Sequence, residues 1–228
     1  MWTRGLTRTI RSHRPIVRPV LLDEFVLTQL PPAPIRVLEV GCGSGELARG
    51  LDAAGHEVVA IDPKAPNGEI FRRTSLAEFG ACEPFHAVVA SRSLHHIGDL
   101  AAALDQIVDL LRAEGVIVVY EHAPDRLDED TARWLLGHSE NAPPDAPRTL
   151  TPFLDWWKDA HAGLHDYGAI RAELDQRFSE RVFTWTPYLY GELGGAVDPA
   201  EEMQLIETGA IKATGFRYVG RRATRPTR

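Results

Sequence analysis

The sequence predicts an α/β fold, a mostly parallel sheet flanked by helices, from three observations. Residues Ile35 to Val40 form an apolar run that breaks into three alternating glycines, Gly41, Gly43 and Gly45, and then into a helix-like pattern at Leu47 and Leu51. A second apolar run, Glu57 to Asp62, ends on an acid followed by Pro63. Farther on, Phe85 to Ser91 and Val116 to Tyr120 read as buried strands, separated by a helix with Leu100, Leu104, Ile107, Val108 and Leu111 on one face. Ligands of such open sheets bind in the crevice beyond the carboxyl ends of the strands.

Before the first strand, Pro19 to Leu30 carries Val20, Leu21, Phe25 and Thr28 at helical spacing, and Pro31-Pro32 stops it. Ahead of that helix, Arg4, Arg8, Arg11, Arg14 and Arg18 recur without an acid before Asp23. An acid-poor, Arg-rich start can be a transit peptide. Pro15, Pro19 and the lack of a matching apolar face favour a solvated or lid-forming helical segment over residues 1–34.

In the glycine loop, spacing matters more than the number of glycines. A dinucleotide site wants G-x-G-x-x-G, whose third glycine would fall at position 46, where this chain has Glu46. The chain reads Glu39-x-Gly41-x-Gly43-x-Gly45 instead. Carboxylates at 39 and 46 suit a ligand that carries positive charge better than a pyrophosphate. Asp62, 21 positions after Gly41, can accept hydrogen bonds from both ribose hydroxyls of an adenosine.

The stretch VLEVGCGSGELA resembles motif I of the class I S-adenosylmethionine-dependent methyltransferases, and VVASRSLHHI…LDQIVDLLRAEGVIVV resembles the region from strand four to strand five of that family. Together the two matches span roughly residues 35 to 121. The resemblance implies a Rossmann-like seven-stranded, mostly parallel sheet with an antiparallel last strand. It implies S-adenosyl-L-methionine as cofactor and S-adenosyl-L-homocysteine as product. It places cofactor contacts at Glu39, Gly41, Cys42, Gly43, Gly45, Asp62, Ser75, Leu76 and Ser91. Ser75 stands where the family often has an acid, a departure that bears on the adenine amino group.

The remaining elements follow in order. Gly55 suits the left-handed end of the helix after the glycine loop. Ile70 to Arg73 is a short third strand, and Thr74 to Phe79 a polar turn or short helix. Gly115 is expected to close the helix before strand five. From His122 to Glu180 the strand–helix rhythm stops, and helical pieces carry Trp134, Trp156 and Trp157 around an Asn141 to Pro147 loop. This part is expected as a helical cap inserted between strands five and six, ending in a helix with Tyr167, Ile170, Leu174 and Phe178 on one face. Arg181 to Trp185 and Phe216 to Val219 read as strands six and seven, closing the core over residues 181–228 with a helix near Pro199 to Ile211 between them.

Composition narrows the function. A net charge of −7 argues against general nucleic-acid binding, which needs excess positive charge. No apolar run reaches the ~20 residues that span a bilayer, so no membrane partner is expected. Two cysteines, Cys42 and Cys82, form neither a C-x-x-C motif nor a disulfide framework, which fits a reducing cytoplasm. The expected partner is a small-molecule acceptor, with the protein a monomer or homodimer.

Methyl transfer needs orientation above all, and a hydroxyl acceptor also benefits from a base. His95 and His96 follow strand four, while Glu121 and His122 lie at the tip of strand five, its expected neighbour. His95 is the first candidate for the base and Glu121 for its partner. His96 and His165 are further candidates, His96 with a packing role in view, and His161 could also reach down from the cap. No H-x-x-x-H or acidic cluster supports a metal, and Cys42 fits the loop as a small residue rather than a nucleophile. Two other activities compete: a cofactor-binding protein without turnover, and a nicotinamide-dependent oxidoreductase, which Glu46 opposes. A protein acceptor stays open beside the small molecule.

Overall fold

A computed structural model describes residues 22–223 apart from 139 and 141–144. The Arg-rich segment and the expected lid before residue 22 lie outside the described residues. The first helix, α1, spans Leu22–Gln29 and buries Phe25 and Val26. Strands β1 (Arg36–Val40), β2 (Glu57–Ile61), β3 (Phe71–Arg72), β4 (Phe85–Ser91), β5 (Leu111–His122), β6 (Phe178–Thr186) and β7 (Gly215–Arg222) form one sheet in the order β3-β2-β1-β4-β5-β7-β6. The pairs β1–β2, β1–β4, β2–β3 and β4–β5 are parallel, whereas β7 is antiparallel to both β5 and β6. The mostly parallel, seven-stranded sheet read from the sequence is therefore the sheet observed, with its reversed strand last in the chain and second from the edge.

Strand alternation divides the core in two. Leu38, Val40, Val88, Ile117 and Val119 point to one face, where α3 (Leu100–Leu110) and α6 (Tyr167–Arg177) cover them with Leu104, Ile107, Ile170 and Leu174. Val37, Val58, Val89 and Val118 point to the other face, under α1 and α2 (Glu46–Ala53) with Phe25, Val26, Ala48 and Leu51. Both faces of the parallel strands are covered, which is why these strands read as continuous apolar runs. Asp99 caps α3 by accepting a hydrogen bond from the Ala102 N–H at 2.9 Å.

Two expectations need redrawing. Gly115 does not end α3, because β5 begins directly at Leu111. Phe85 pairs with Leu111 and Ala87 with Val116, so three extra residues bulge out of β5. A Cβ on Gly115 would lie 2.8 Å from Leu111 Cδ2 and 3.0 Å from the Arg112 carbonyl oxygen, so a side chain there would force its neighbours in the bulge to shift. The second concerns α6, whose apolar face packs on α3 and the sheet, making it a crossover helix rather than part of a cap. Helices α4 (Glu129–Gly137) and α5 (Leu150–Ala160) are inserted in the chain between β5 and α6, and α7 (Leu189–Glu192) follows β6. These share a third apolar cluster of Ala132, Leu135, Phe153, Trp157, Leu189, Leu193 and Val197. Between β6 and β7, α8 (Pro199–Glu207) follows α7. Among the described residues no helix is long and apolar enough to cross a membrane.

Candidate active site

The sheet order places β1 between β2 and β4, and chain direction across the sheet switches there. At the tips of these strands lie two adjoining cavities of about 620 Å³ and 470 Å³. The glycine loop forms their shared edge. Gly41 and Cys42 donate their N–H groups to the Ile61 carbonyl at 2.8 and 3.1 Å, tying the loop to the end of β2. Gly41 has φ +77, and a Cβ there would come within 2.4 Å of Ser93 Cβ. A Cβ on Gly43 (φ +50) would meet nothing within 4 Å. One glycine is thus required by the protein's own packing, while the other leaves open space beside the backbone.

The first cavity is lined by Glu39, Gly41, Cys42, Gly43, Asp62 and Ser91, with His95, His96 and Tyr188 on its far side. Glu39 is 2% exposed, and its Oε2 has no hydrogen-bond partner. Burial, with a smaller repulsion from Asp62, pushes its carboxyl up to about 8, against a backbone hydrogen bond from Ala48 that acts the other way. Asp62 Oδ2 accepts the Gly43 N–H at 3.1 Å and Oδ1 the Lys64 N–H at 2.7 Å, so the carboxylate is held at the loop. Burial, reinforced by Glu39 and Asp62, pushes the Cys42 thiol up to about 12, leaving it an inert small side chain. The second cavity is the more apolar, lined by Val40, Ile61, Leu76, Ile97 and Ala103, with Ser75 and Asp62 at its rim. Ser75 is tied to Glu78, whose Oε2 accepts from Ser75 Oγ at 2.9 Å and from its N–H at 3.2 Å.

His95 and Glu121 come from different strands and meet. Glu121 is fully buried, and its Oε1 accepts the N–H groups of Ser93 and Leu94 at 2.7 and 2.6 Å. Its Oε2 lies 2.5 Å from His95 Nδ1. A carboxylate against Nδ1 holds a proton there and leaves Nε2 as the free basic nitrogen. His95 borders the first cavity, so this nitrogen belongs to a side chain at the cavity wall.

The other histidines divide by place. His96 borders both cavities, its ring 4.1 Å from that of His95 between centroids, and burial lowers its basicity. His165 borders neither cavity. Its Nε2–H donates to the Ile97 carbonyl at 2.7 Å, and its backbone N–H to the His95 carbonyl at 3.1 Å, bracing the 3-10 turn Leu94–His96. His161 also borders neither cavity, bonding to the Trp157 carbonyl at 2.8 Å. His122 is buried and stacks on Tyr188 with centroids 4.1 Å apart and planes within 1°. Burial pushes the His122 imidazole down to about 3, so it is neutral.

Three site residues were not singled out from the sequence: Arg92, Tyr188 and Glu202. Arg92 has φ +51 and borders both cavities. Tyr188 reaches the first cavity from the start of α7, and Glu202 of α8 holds it there. The Glu202 carboxylate accepts the N–H groups of Tyr188, Leu189 and Tyr190 at 2.9, 3.1 and 2.7 Å. Only chain folding brings position 202 to position 188, so sequence spacing carries no signal of this clamp.

The methyltransferase-domain family model matches residues 12–167. A ubiquinone biosynthesis O-methyltransferase of Xylella fastidiosa (strain 9a5c) is 32% identical over 185 residues, covering 69% of this chain and 72% of that protein. A protein of the same name from Rhodopseudomonas palustris (strain HaA2) is 31% identical over 98 residues. That match covers 37% of this chain and 39% of the relative's length. Among solved structures, an S-adenosylmethionine dependent methyltransferase from Mesorhizobium loti superposes with a TM-score of 0.58 at 16% identity, over 87% of this chain and 96% of that one. The N-methyltransferase NodS from Bradyrhizobium japonicum WM9, in complex with S-adenosyl-l-homocysteine, superposes with a TM-score of 0.51 at 13% identity, over 90% of this chain and 94% of that one. At such identities the likeness is one of fold.

Proposed function

This chain belongs to the class I S-adenosylmethionine-dependent methyltransferase family, and from that premise we propose that it methylates a hydroxyl of a small-molecule acceptor. The carrying observation is the Glu121–His95 pair, a buried carboxylate orienting an imidazole at the cavity wall. The relatives named as O-methyltransferases support the choice of oxygen. A net charge of −7 supports a small acceptor over nucleic acid. The same proposal includes a cytoplasmic location, supported by Cys42 and Cys82 as free thiols.

The cavities fit the cofactor by chemistry. Glu39, with its unpartnered oxygen, would serve as a partner for positive charge, and the Asp62 carboxylate held at the loop would accept from ribose hydroxyls. The open space beside Gly43 lets a ligand approach the backbone. Ser75 and Leu76 edge the apolar second cavity, which suits a purine. Bound S-adenosylmethionine would supply an activated methyl group on a sulfonium, with a neutral thioether as the leaving group. His95 Nε2 takes the acceptor's hydroxyl proton while the oxygen attacks. Glu121 stabilises the imidazolium that results and fixes the ring by its bond to Nδ1. Gly41, Cys42 and Ser91 form the loop and strand tip against which the methyl donor would be oriented.

Two measurements on the full chain test this. S-adenosylhomocysteine should raise the melting temperature and NAD should not, and stabilisation by NAD alone would refute the cofactor assignment. With a responsive hydroxyl acceptor, His95→Gln should lower kcat by about 10²–10⁴-fold with S-adenosylhomocysteine affinity unchanged. Undiminished kcat in that variant would leave orientation as the whole of catalysis and remove the base.

A further inference from the structure

We propose that Arg92 is the anion-recognition residue of this site, binding a carboxylate at the junction of the two cavities. The inference rests on the methyltransferase reading above and adds the chemical class of a group that the site selects. Among the described residues Arg92 is the only non-glycine residue with positive φ, at +51. An L side chain adopts this region at a cost that glycine avoids. Backbone of this kind, held at a cavity wall, points to a side chain that is used. The neighbouring backbone is pinned on both sides. The Arg92 N–H donates to the Tyr120 carbonyl at 2.7 Å, and the next two N–H groups go to Glu121.

Charge makes the same point independently. The first cavity is lined by Asp23, Glu39, Glu46 and Asp62, and Arg92 is its single lysine or arginine among the described residues. The same holds for the second cavity. Its side chain is exposed to the cavities and lies near the phenols of Tyr120 and Tyr188. No ion pair is formed by Arg92 with any described carboxylate at salt-bridge distance, although ten arginine or lysine pairs of that kind form elsewhere among the described residues. A guanidinium presents paired N–H donors that match a carboxylate in two parallel bonds. Two ligands of this site could bring one: the amino-acid end of the cofactor, or an acceptor carrying a hydroxyl for His95 and a carboxylate for Arg92.

Calorimetric titration of wild type, Arg92→Gly and Arg92→Lys separates these sources. Glycine adopts φ +51 freely, so Arg92→Gly keeps the turn while removing the guanidinium. One ligand pair is S-adenosylhomocysteine and its decarboxylated analogue. The other, at saturating S-adenosylhomocysteine, is 3,4-dihydroxybenzoate and catechol. A cofactor contact predicts that Arg92→Gly weakens S-adenosylhomocysteine by ~10- to 150-fold and spares the analogue without carboxylate. An acceptor contact predicts the same selective loss for dihydroxybenzoate over catechol. In either case Arg92→Lys recovers part of the loss through charge alone. If wild type binds S-adenosylhomocysteine and Arg92→Gly is selective in neither pair, the inference is wrong and the methyltransferase reading stands. If wild type binds no S-adenosylhomocysteine, both fall together.

Discussion

Glu39 places a carboxyl at the cavity wall with almost no exposure to water, and its behaviour follows from that burial. Its folded-state pKa is raised from 4.5 to about 8, so the apo fold favours the protonated form. The stability this contributes is complete below pH 4.5 and is lost as pH rises towards 8, at up to about 1.4 kcal/mol per pH unit. Glu39→Gln should remove that fall, read as the difference between wild-type and variant urea unfolding across the same pH window. A parallel pH dependence in both proteins would mean that Glu39 is ionised in the apo fold. A cationic ligand beside Glu39 draws the group into its charged form, so wild-type cofactor binding should tighten over the same rise in pH. At this scale the sequence was informative about residue types. Glu39, the glycines and Asp62 announce themselves because backbone approach and charge restrict those positions to few side chains. Arg92 does not, since nothing in its neighbours' identities reveals a left-handed φ.

Among elements, the strands that build the crevice were the most legible. β4 runs over Phe85–Ser91 as read, and β1 and β2 differ from their expected bounds by one residue at an end. Such runs are apolar because both faces are covered, and that signal is local. The start of β5 was not legible: Leu111 continues the helical apolar face of α3 in sequence yet pairs with Phe85 in the sheet. The helix pattern and the strand pattern overlap there, and tertiary pairing decides. Gly115→Ala should expose how tight the resulting bulge is. With Cβ contacts of 2.8 and 3.0 Å waiting, we expect a loss of about 1–3 kcal/mol in chemical denaturation. Cofactor affinity should be unchanged, because the bulge lies at the opposite end of β5 from Glu121. A variant as stable as wild type would mean that the bulge relaxes at no cost.

At the scale of the molecule, three apolar clusters among the described residues divide the labour. Two sandwich the sheet and fix the cofactor crevice, while the third belongs to α4, α5 and α7. Trp157 links that third cluster to the site: it is 6% exposed, donates its indole N–H to the Pro124 carbonyl at 3.0 Å and abuts His122. Trp157→Ala should cost about 3–5 kcal/mol within this cluster. Hydrogen exchange should then quicken in α4 and α5 before it does in β1 and β4. Uniform loss of protection would show that insert and sheet unfold as one unit. Aromatic residues in the insert were visible in the sequence, but their grouping was not. The apolar face of α6 looks like those of α4 and α5, and only the location of α3 shows which of them the sheet claims.

His165 lies far along the chain from the turn it braces, gripping Ile97 with its ring and His95 with its backbone. The imidazole at the cavity wall is therefore steadied from outside the segment that carries it. Transplanting the 35–121 segment into another scaffold would leave that turn without its outer support, so a hybrid enzyme could hold its nucleoside well and still turn over poorly.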